Sequence, residues 1–211
     1  MKKTRKWYDY LWIWSILYFS LGFFNILFAW LGLIDFILPL IFAIVGGNKN
    51  FCNSFCGRGQ LFNLLGSSLK LSRKKTTPRV LTSKYFRYGF LIFFLTMFGN
   101  MLFQTYLVAS SASNLRQIVK LFWTFKIPWK WAYNPAFLAD GLQWIAQFSY
   151  GFYSLMLTST LIGLIVMALY KPRSWCTFCP MGCMTQGICK VKYRKAAVFV
   201  TKSHTNKDFS V

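Results

Sequence analysis

The feature that most limits this chain is an apolar stretch from Trp7 to Gly47, 41 residues in which only Asp9 and Asp35 carry charge. A helix needs about 20 residues to cross roughly 30 Å of hydrocarbon at about 1.5 Å per residue, so the stretch is two spans long. Two helices joined by a tight turn near Trp30, Gly32 and Asp35 are predicted, with Pro39 near the start of the second, where a missing amide is tolerated. Met1 to Lys6 ahead of it resembles the basic start of a secretory signal, but no small-residue cleavage site interrupts the apolar run, which is therefore read as retained helices.

Further apolar runs from about Tyr85 to Ser110 and from about Leu142 to Tyr170 supply a third and a fourth span. With 55% hydrophobic residues, 20% aromatic residues and four carboxylates, the chain lacks the mixed charge that a water-facing surface needs. The runs show no barrel-type alternation, and helices are the remaining way to satisfy a backbone in lipid. The expected fold is thus an all-α membrane protein of four transmembrane helices, forming a single membrane domain over residues 1–211.

The basic residues orient it. Of 25 Lys and Arg, four precede the first span, nine lie from Lys49 to Arg87, four between Arg116 and Lys130, and eight from Lys171 onward. All but the third group fall on one side of a four-span topology, which is the positive-inside pattern of a multi-pass protein of the cell membrane with both termini cytoplasmic. The net charge of +21 is mostly this orientation signal. No basic nucleic-acid-binding motif accompanies it, so nucleic acid is not an expected partner. The expected partners are anionic lipid headgroups of the bilayer and an acidic soluble electron carrier, which such a surface would steer.

The two halves, about 7–69 and about 85–190, are built alike, and a basic cytoplasmic tail, 191–211, follows. In each half two spans lead into a cysteine motif: Phe51-Cys52-Asn53-Ser54-Phe55-Cys56-Gly57-Arg58-Gly59 in the first, and Trp175-Cys176-Thr177-Phe178-Cys179-Pro180-Met181-Gly182 in the second. A duplication about an axis along the membrane normal would make two tandem helix pairs and bring both cysteine pairs to one depth. Between the halves, Leu115, Ile118, Val119 and Phe122 recur at helical spacing beside Arg116 and Lys120, with Trp123, Trp129 and Trp131 following. This predicts a helix in the outer interface, either an aromatic anchor or one wall of a quinone-like site. The stretch Lys70 to Arg87 reads as a cytoplasmic linker, and His204, the one histidine, as a solvated tail residue.

All six cysteines, at 52, 56, 176, 179, 183 and 189, fall on the reducing cytoplasmic side, where metal or redox chemistry is expected rather than disulfides. A four-iron cluster needs four thiolates around a cube, with short spacings serving adjacent irons and a distant segment completing the set. Cys52 with Cys56 and Cys176 with Cys179 meet that need. Gly57, Gly59 and Gly182 allow close backbone approach, and Pro180 turns the chain away. A tetrahedral zinc bound by the same four cysteines uses the same spacings, and Cys176/Cys179 alone could form a dithiol redox pair. The run Cys176, Cys179, Cys183 with Cys189 could also hold a cluster by itself; the repeat argues against this, since Cys183 has its counterpart at Gln60. Cys183 stays as a fifth candidate ligand.

The residues from Phe51 to Phe62 and from Pro172 to Gly182 resemble the multi-pass 4Fe-4S membrane proteins that accompany nitrate reduction, nitrous-oxide reduction and cytochrome oxidase assembly, the short standalone members above all. Such proteins usually show Cys-Pro in both motifs. Here Gly57 replaces the first proline, the second motif is one residue shorter between its cysteines, and the ferredoxin-type runs of larger relatives are absent. The resemblance implies that Cys52, Cys56, Cys176 and Cys179 are ligands and that the activity is electron transfer.

Three functions follow. The first is a membrane electron-transfer subunit, not a self-contained enzyme, working with redox partner proteins that carry flavin, haem or quinone. The second is a zinc-stapled scaffold for assembling other subunits. The third is a small transporter, to which Asn25, Asn100 and Gln104 lend weak support because such residues also cement helix pairs.

Overall fold

The computed structural model describes residues 10–46, 51–73, 75–111, 114–116, 118–121, 125–127 and 143–192. Calls on Phe122, Trp123, Trp129, Trp131 and His204, and on all but the start of the tail 191–211, lie outside these residues.

The first apolar stretch forms α1 (Trp12–Phe24), a 3-10 turn (Ile26–Trp30) and α2 (Leu31–Gly46). The break falls at Asn25, earlier than the turn expected near Trp30, Gly32 and Asp35. Asn25 is extended, and its side chain accepts the Leu27 N–H at 3.0 Å, capping the turn that follows. Gly32 and Asp35 instead lie inside α2, where packing claims them: the rings of Tyr18 and Phe152 press on Gly32, and Asp35 accepts a 3.0 Å bond from Trp14 Nε1. Pro39 is likewise in the interior of α2, not near its start, and is buried.

A π-helical turn (Phe51–Phe55), α3 (Gly57–Asn63) and a second π-helical turn (Leu64–Ser68) lead through a loop to the short α4 (Arg79–Thr82). Then come α5 (Lys84–Ala109) and α6 (Gln143–Leu169), each within one residue of the third and fourth spans expected. A 3-10 turn (Ser174–Thr177) precedes the helix α7 over residues 180–192.

Among the described residues, three segments are long and apolar enough to cross a membrane: Ile26–Gly46, Lys84–Ala109 and Gln143–Leu169. Their outer faces carry Ile37, Ile41, Phe42, Ile92, Phe103 and Ile165, all exposed, as a helix facing lipid requires. Helix α1 is apolar but has 13 residues.

The expected interfacial helix is absent from the described part of its segment. Lys120–Leu121 (β1) pairs antiparallel with Phe125–Lys126 (β2), in the register Lys120↔Lys126 and Leu121↔Phe125. The carbonyls that a helix would use internally are taken elsewhere: that of Val119 accepts the Ile127 N–H at 3.1 Å, and that of Lys120 accepts the Ser154 hydroxyl of α6. Val119 is fully buried. The apolar spacing fits a helix, but Ile118 and Val119 are β-branched and suit extended backbone pinned to a neighbouring helix.

Helix α6 is the hub. Gly151 meets Met101 of α5, Tyr153 packs on Gly22 and donates to the Phe19 carbonyl at 3.0 Å, and Gly163 lies under Phe62 of α3. Stacked Phe36 and Phe98, 5.4 Å apart, and Phe148 and Phe152, 5.5 Å apart, fill the middle of the bundle. A second apolar cluster of Phe62, Met167, Trp175 and Phe178 closes one end, directly beneath both cysteine motifs.

Candidate metal centre

Both motifs use the same local device. Cys52 rides on the π-helical turn, and Cys56 is the extended residue before α3, its carbonyl accepting the Gln60 N–H at 3.0 Å. Cys176 rides on the 3-10 turn, and Cys179 precedes α7, its carbonyl accepting the Cys183 N–H at 2.9 Å. In each case the second thiol stands at a helix start. Pro180 opens α7 at the one helical position that needs no amide. Cys183 and Gln60 occupy the same step of the two helices.

Cys52, Cys56, Cys176 and Cys179 line one cavity of about 140 Å³, with Asp35, Pro39, Arg58, Arg87 and Trp175 among the remaining walls. The space over Gly59 shows the approach: a Cβ there would lie 3.8 Å from Cys56 Sγ and 4.0 Å from Cys176 Sγ. Cys52 Sγ is 3.7 Å from Thr185 Oγ1 of α7, so the first motif reaches the helix opened by the second. Among the described residues no three His, Cys, Asp or Glu side chains converge tightly enough to hold one metal ion. A zinc bound by four sulfurs at about 2.3 Å would draw them to roughly 4 Å from one another. Thiols spread around a cavity suit the corners of a four-iron cube better.

The electrostatics agree. Although Cys176 as a residue is exposed, desolvation of its sulfur, with the sulfurs of Cys179, Cys56 and Cys52 adding to it against Arg173, pushes the thiol from 9.0 up to about 12. Burial pushes Cys179 up to about 11, opposed by the Gly182 and Met181 amides and by Arg58. Metal-free, the site resists gathering thiolates; a cationic cluster core would compensate them, and its loading must expel protons.

Arg58 was not singled out from the sequence. It lies two residues past a thiol, donates from Nη1 to Ser159 Oγ at 3.1 Å, and lines the cavity. Arg87, expected only as part of a linker, lines it too and is held by a 2.8 Å bond from Nη2 to Gln186 Oε1. A cation close to a thiol pair was the available signal for Arg58; Arg87 and Asp35 are far in sequence and needed the fold. Cys183 faces a separate pocket of about 70 Å³, and Cys189 is buried, lining neither.

A larger cavity of about 370 Å³ lies between α5 and α6. Its walls include Phe90, Asn100, Gln104, Gln147 and Ser159, so the two α5 amides face a cavity. Phe90 packs edge-on against Trp175 at 5.7 Å, and Ser159 holds Arg58, so single residues separate the two cavities.

The model of a family described as a 4Fe-4S binding domain matches residues 28–78 and 154–196. The first block holds Cys52 and Cys56, the second Cys176, Cys179, Cys183 and Cys189, each with apolar helix ahead of them. No curated protein and no solved structure matches the chain. The cofactor is a [4Fe-4S] cluster and the chain is an iron–sulfur protein, which favours the cube over zinc on grounds independent of the cavity.

Proposed function

We propose that the chain is a membrane-bound electron-transfer protein in which Cys52, Cys56, Cys176 and Cys179 hold one cluster at the cytoplasmic face. The observation that carries this is the convergence of those thiols, from two distant segments, on one cavity at one end of a bundle of apolar helices. When bound, the cluster supplies a one-electron couple. The chain's own part is to set its surroundings. Arg58, Arg87 and Arg173 offset the negative charge of four thiolates, and the amides of Met181 and Gly182 bond to the Cys179 sulfur.

Four passes are the topology that the packing supports. Gly57 against Leu11 and Ser15 puts the start of α1 at the cluster end, and the bond from Trp30 Nε1 to the Ile145 carbonyl at 3.4 Å puts the α1–α2 break at the other end. Helix α1 and the 3-10 turn together thus carry the chain from the cluster end to the other end, and α2 brings it back. Lys84, Arg87, Lys171, Arg173, Lys190 and Lys192 gather at the cluster end, which the positive-inside rule assigns to the cytoplasm of the cell membrane.

A cluster at one face needs a partner within or across the bilayer. The cavity between α5 and α6, with amides from both helices and aromatic rings toward the cluster, suits a quinone ring. The basic cytoplasmic end suits an acidic soluble carrier as the second partner.

The deciding experiment is anaerobic purification with absorption spectroscopy and with iron and zinc analysis. The expected result is a brown protein with about four irons per chain. A colourless protein holding one zinc would replace electron transfer by a scaffold role.

A further inference from the structure

Beside the cluster cavity, Lys84, Arg87, Tyr88, Cys183, Gln186 and Lys190 enclose the pocket of about 70 Å³. Gly187 completes the lining, so three of its seven residues are cations and none is a carboxylate. The volume is roughly that of two waters, enough for one tetrahedral oxyanion. Lys84 and Lys190 bring point charges, and Arg87 brings a planar fork of which one donor is held by Gln186. Lys84 is the first residue of α5, so the positive end of that helix adds to the field. The same position puts the pocket where a span leaves the hydrocarbon, at the level of lipid phosphates. Tyr88, 57% exposed on the first turns of α5, sits where an interfacial aromatic belongs.

We propose that this pocket binds a phosphate-type oxyanion, carried either by an anionic lipid headgroup or free in solution. Arg87 lines both this pocket and the cluster cavity, so an anion bound here weakens the positive field that the thiolates feel. The binding site stands on its own; the effect on the cluster rests on the electron-transfer reading.

The test uses the full chain in nanodiscs of phosphatidylcholine with and without phosphatidylglycerol. Native mass spectrometry reads retained lipid, and phosphorus NMR line broadening reads inorganic phosphate added to the phosphatidylcholine discs. The expected result is selective retention of phosphatidylglycerol, lowered about tenfold in a Lys84→Gln/Lys190→Gln double variant and unchanged in Lys75→Gln/Arg79→Gln, which removes the same charge from the exposed linker. Broadening of phosphate without lipid retention, lost in the first double variant alone, assigns the site to free phosphate. Equal losses in the two double variants, or no binding of either probe, would overturn the site. In cluster-loaded protein the bound anion should lower the reduction midpoint of the native chain and not that of Lys84→Gln/Lys190→Gln. Binding without that shift would overturn the link through Arg87, whereas lipid retention by a protein that takes up no iron would leave the pocket standing and remove the electron-transfer reading.

Discussion

Arg58 and Ser159 are joined by a 3.1 Å hydrogen bond that ties the first cysteine motif to the middle of α6. With Nη2 2.7 Å from Met156 Sδ, the guanidinium is held beside the thiols. A fixed positive charge stabilises the reduced, more negative cluster. Arg58→Gln should therefore lower the reduction midpoint by about 60 mV or more, the equivalent of roughly 1.4 kcal/mol for one electron. Arg58→Lys, which keeps the charge, should lower it less. An unchanged midpoint in Arg58→Gln, read by redox titration followed by electron paramagnetic resonance, would show the charge to be screened.

Gly57 explains why the first motif lacks the proline of the family it resembles. A Cβ there would lie 2.9 Å from the Leu11 carbonyl oxygen and 2.7 Å from Ser15 Oγ, and a proline ring brings that carbon with it. Gly57→Ala and Gly57→Pro should push α1 off α3 and destabilise the fold by about 1–3 kcal/mol. Gly89→Ala, with nothing within 4 Å of its added carbon, should be tolerated. Thermal unfolding in detergent compares the three; equal melting temperatures would mean that α1 adjusts freely.

The long helices were legible because α5 and α6 run 26 and 27 mostly apolar residues with no carboxylate, no proline and no charge beyond Lys84 and Arg87 at one end. The first turn was misplaced because Gly32 and Asp35 look like breakers only until Tyr18, Phe152 and Trp14 are seen to use them. Asn25, weighed as a polar residue within the membrane, is instead the cap that makes the break. The interfacial segment failed for a related reason: its period is helical, but the hydroxyl of Ser154, 34 residues away, claims a carbonyl that a helix would need. At the site, spacing alone named two thiol pairs. That they share a cavity with Arg58 and Arg87 depends on how α3, α5 and α7 meet, which no local pattern encodes.

The raised thiols give a pH dependence. In metal-free protein Cys176 and Cys179 stay neutral up to about 12 and about 11, whereas unfolded thiols ionise from about 9. The folded state thus favours the neutral thiols, which carries no cost below pH 9, and the stability of the metal-free fold should fall as pH rises from 9 toward 12. At neutral pH, cluster assembly must displace at least these two protons. Proton release during anaerobic reconstitution, followed with an indicator dye in weak buffer, should exceed one per chain; none would mean that the thiols are already ionised.

Orientation is tested by labelling single cysteines placed on a background in which the exposed native thiols are already blocked. Positions 75 and 171 should react with an impermeant reagent only from the cytoplasmic side, and position 126 only from outside. Labelling of position 126 from the cytoplasm would remove the four-pass topology with cytoplasmic motifs, because α5 would then either fail to cross or run the opposite way, leaving the motifs outside.

The ligand set is tested by replacing each cysteine in turn. If two thiolates come from each half, Cys52→Ser, Cys56→Ser, Cys176→Ser and Cys179→Ser should each lose most of the iron and the brown colour, with no asymmetry between the halves. Cys183→Ser changes a residue that faces the neighbouring 70 Å³ pocket, so it should keep about four irons. Cys189 is 7% exposed, and a buried hydroxyl in its place should lower stability by about 1 kcal/mol while the iron stays. The rival arrangement, a cluster held by Cys176, Cys179, Cys183 and Cys189, makes the opposite prediction for four of the six variants. Cys52→Ser and Cys56→Ser would then stay brown, and Cys183→Ser and Cys189→Ser would bleach. Iron content of the six purified variants decides between the two, and the shared cavity together with the separate pocket of Cys183 argues for the first.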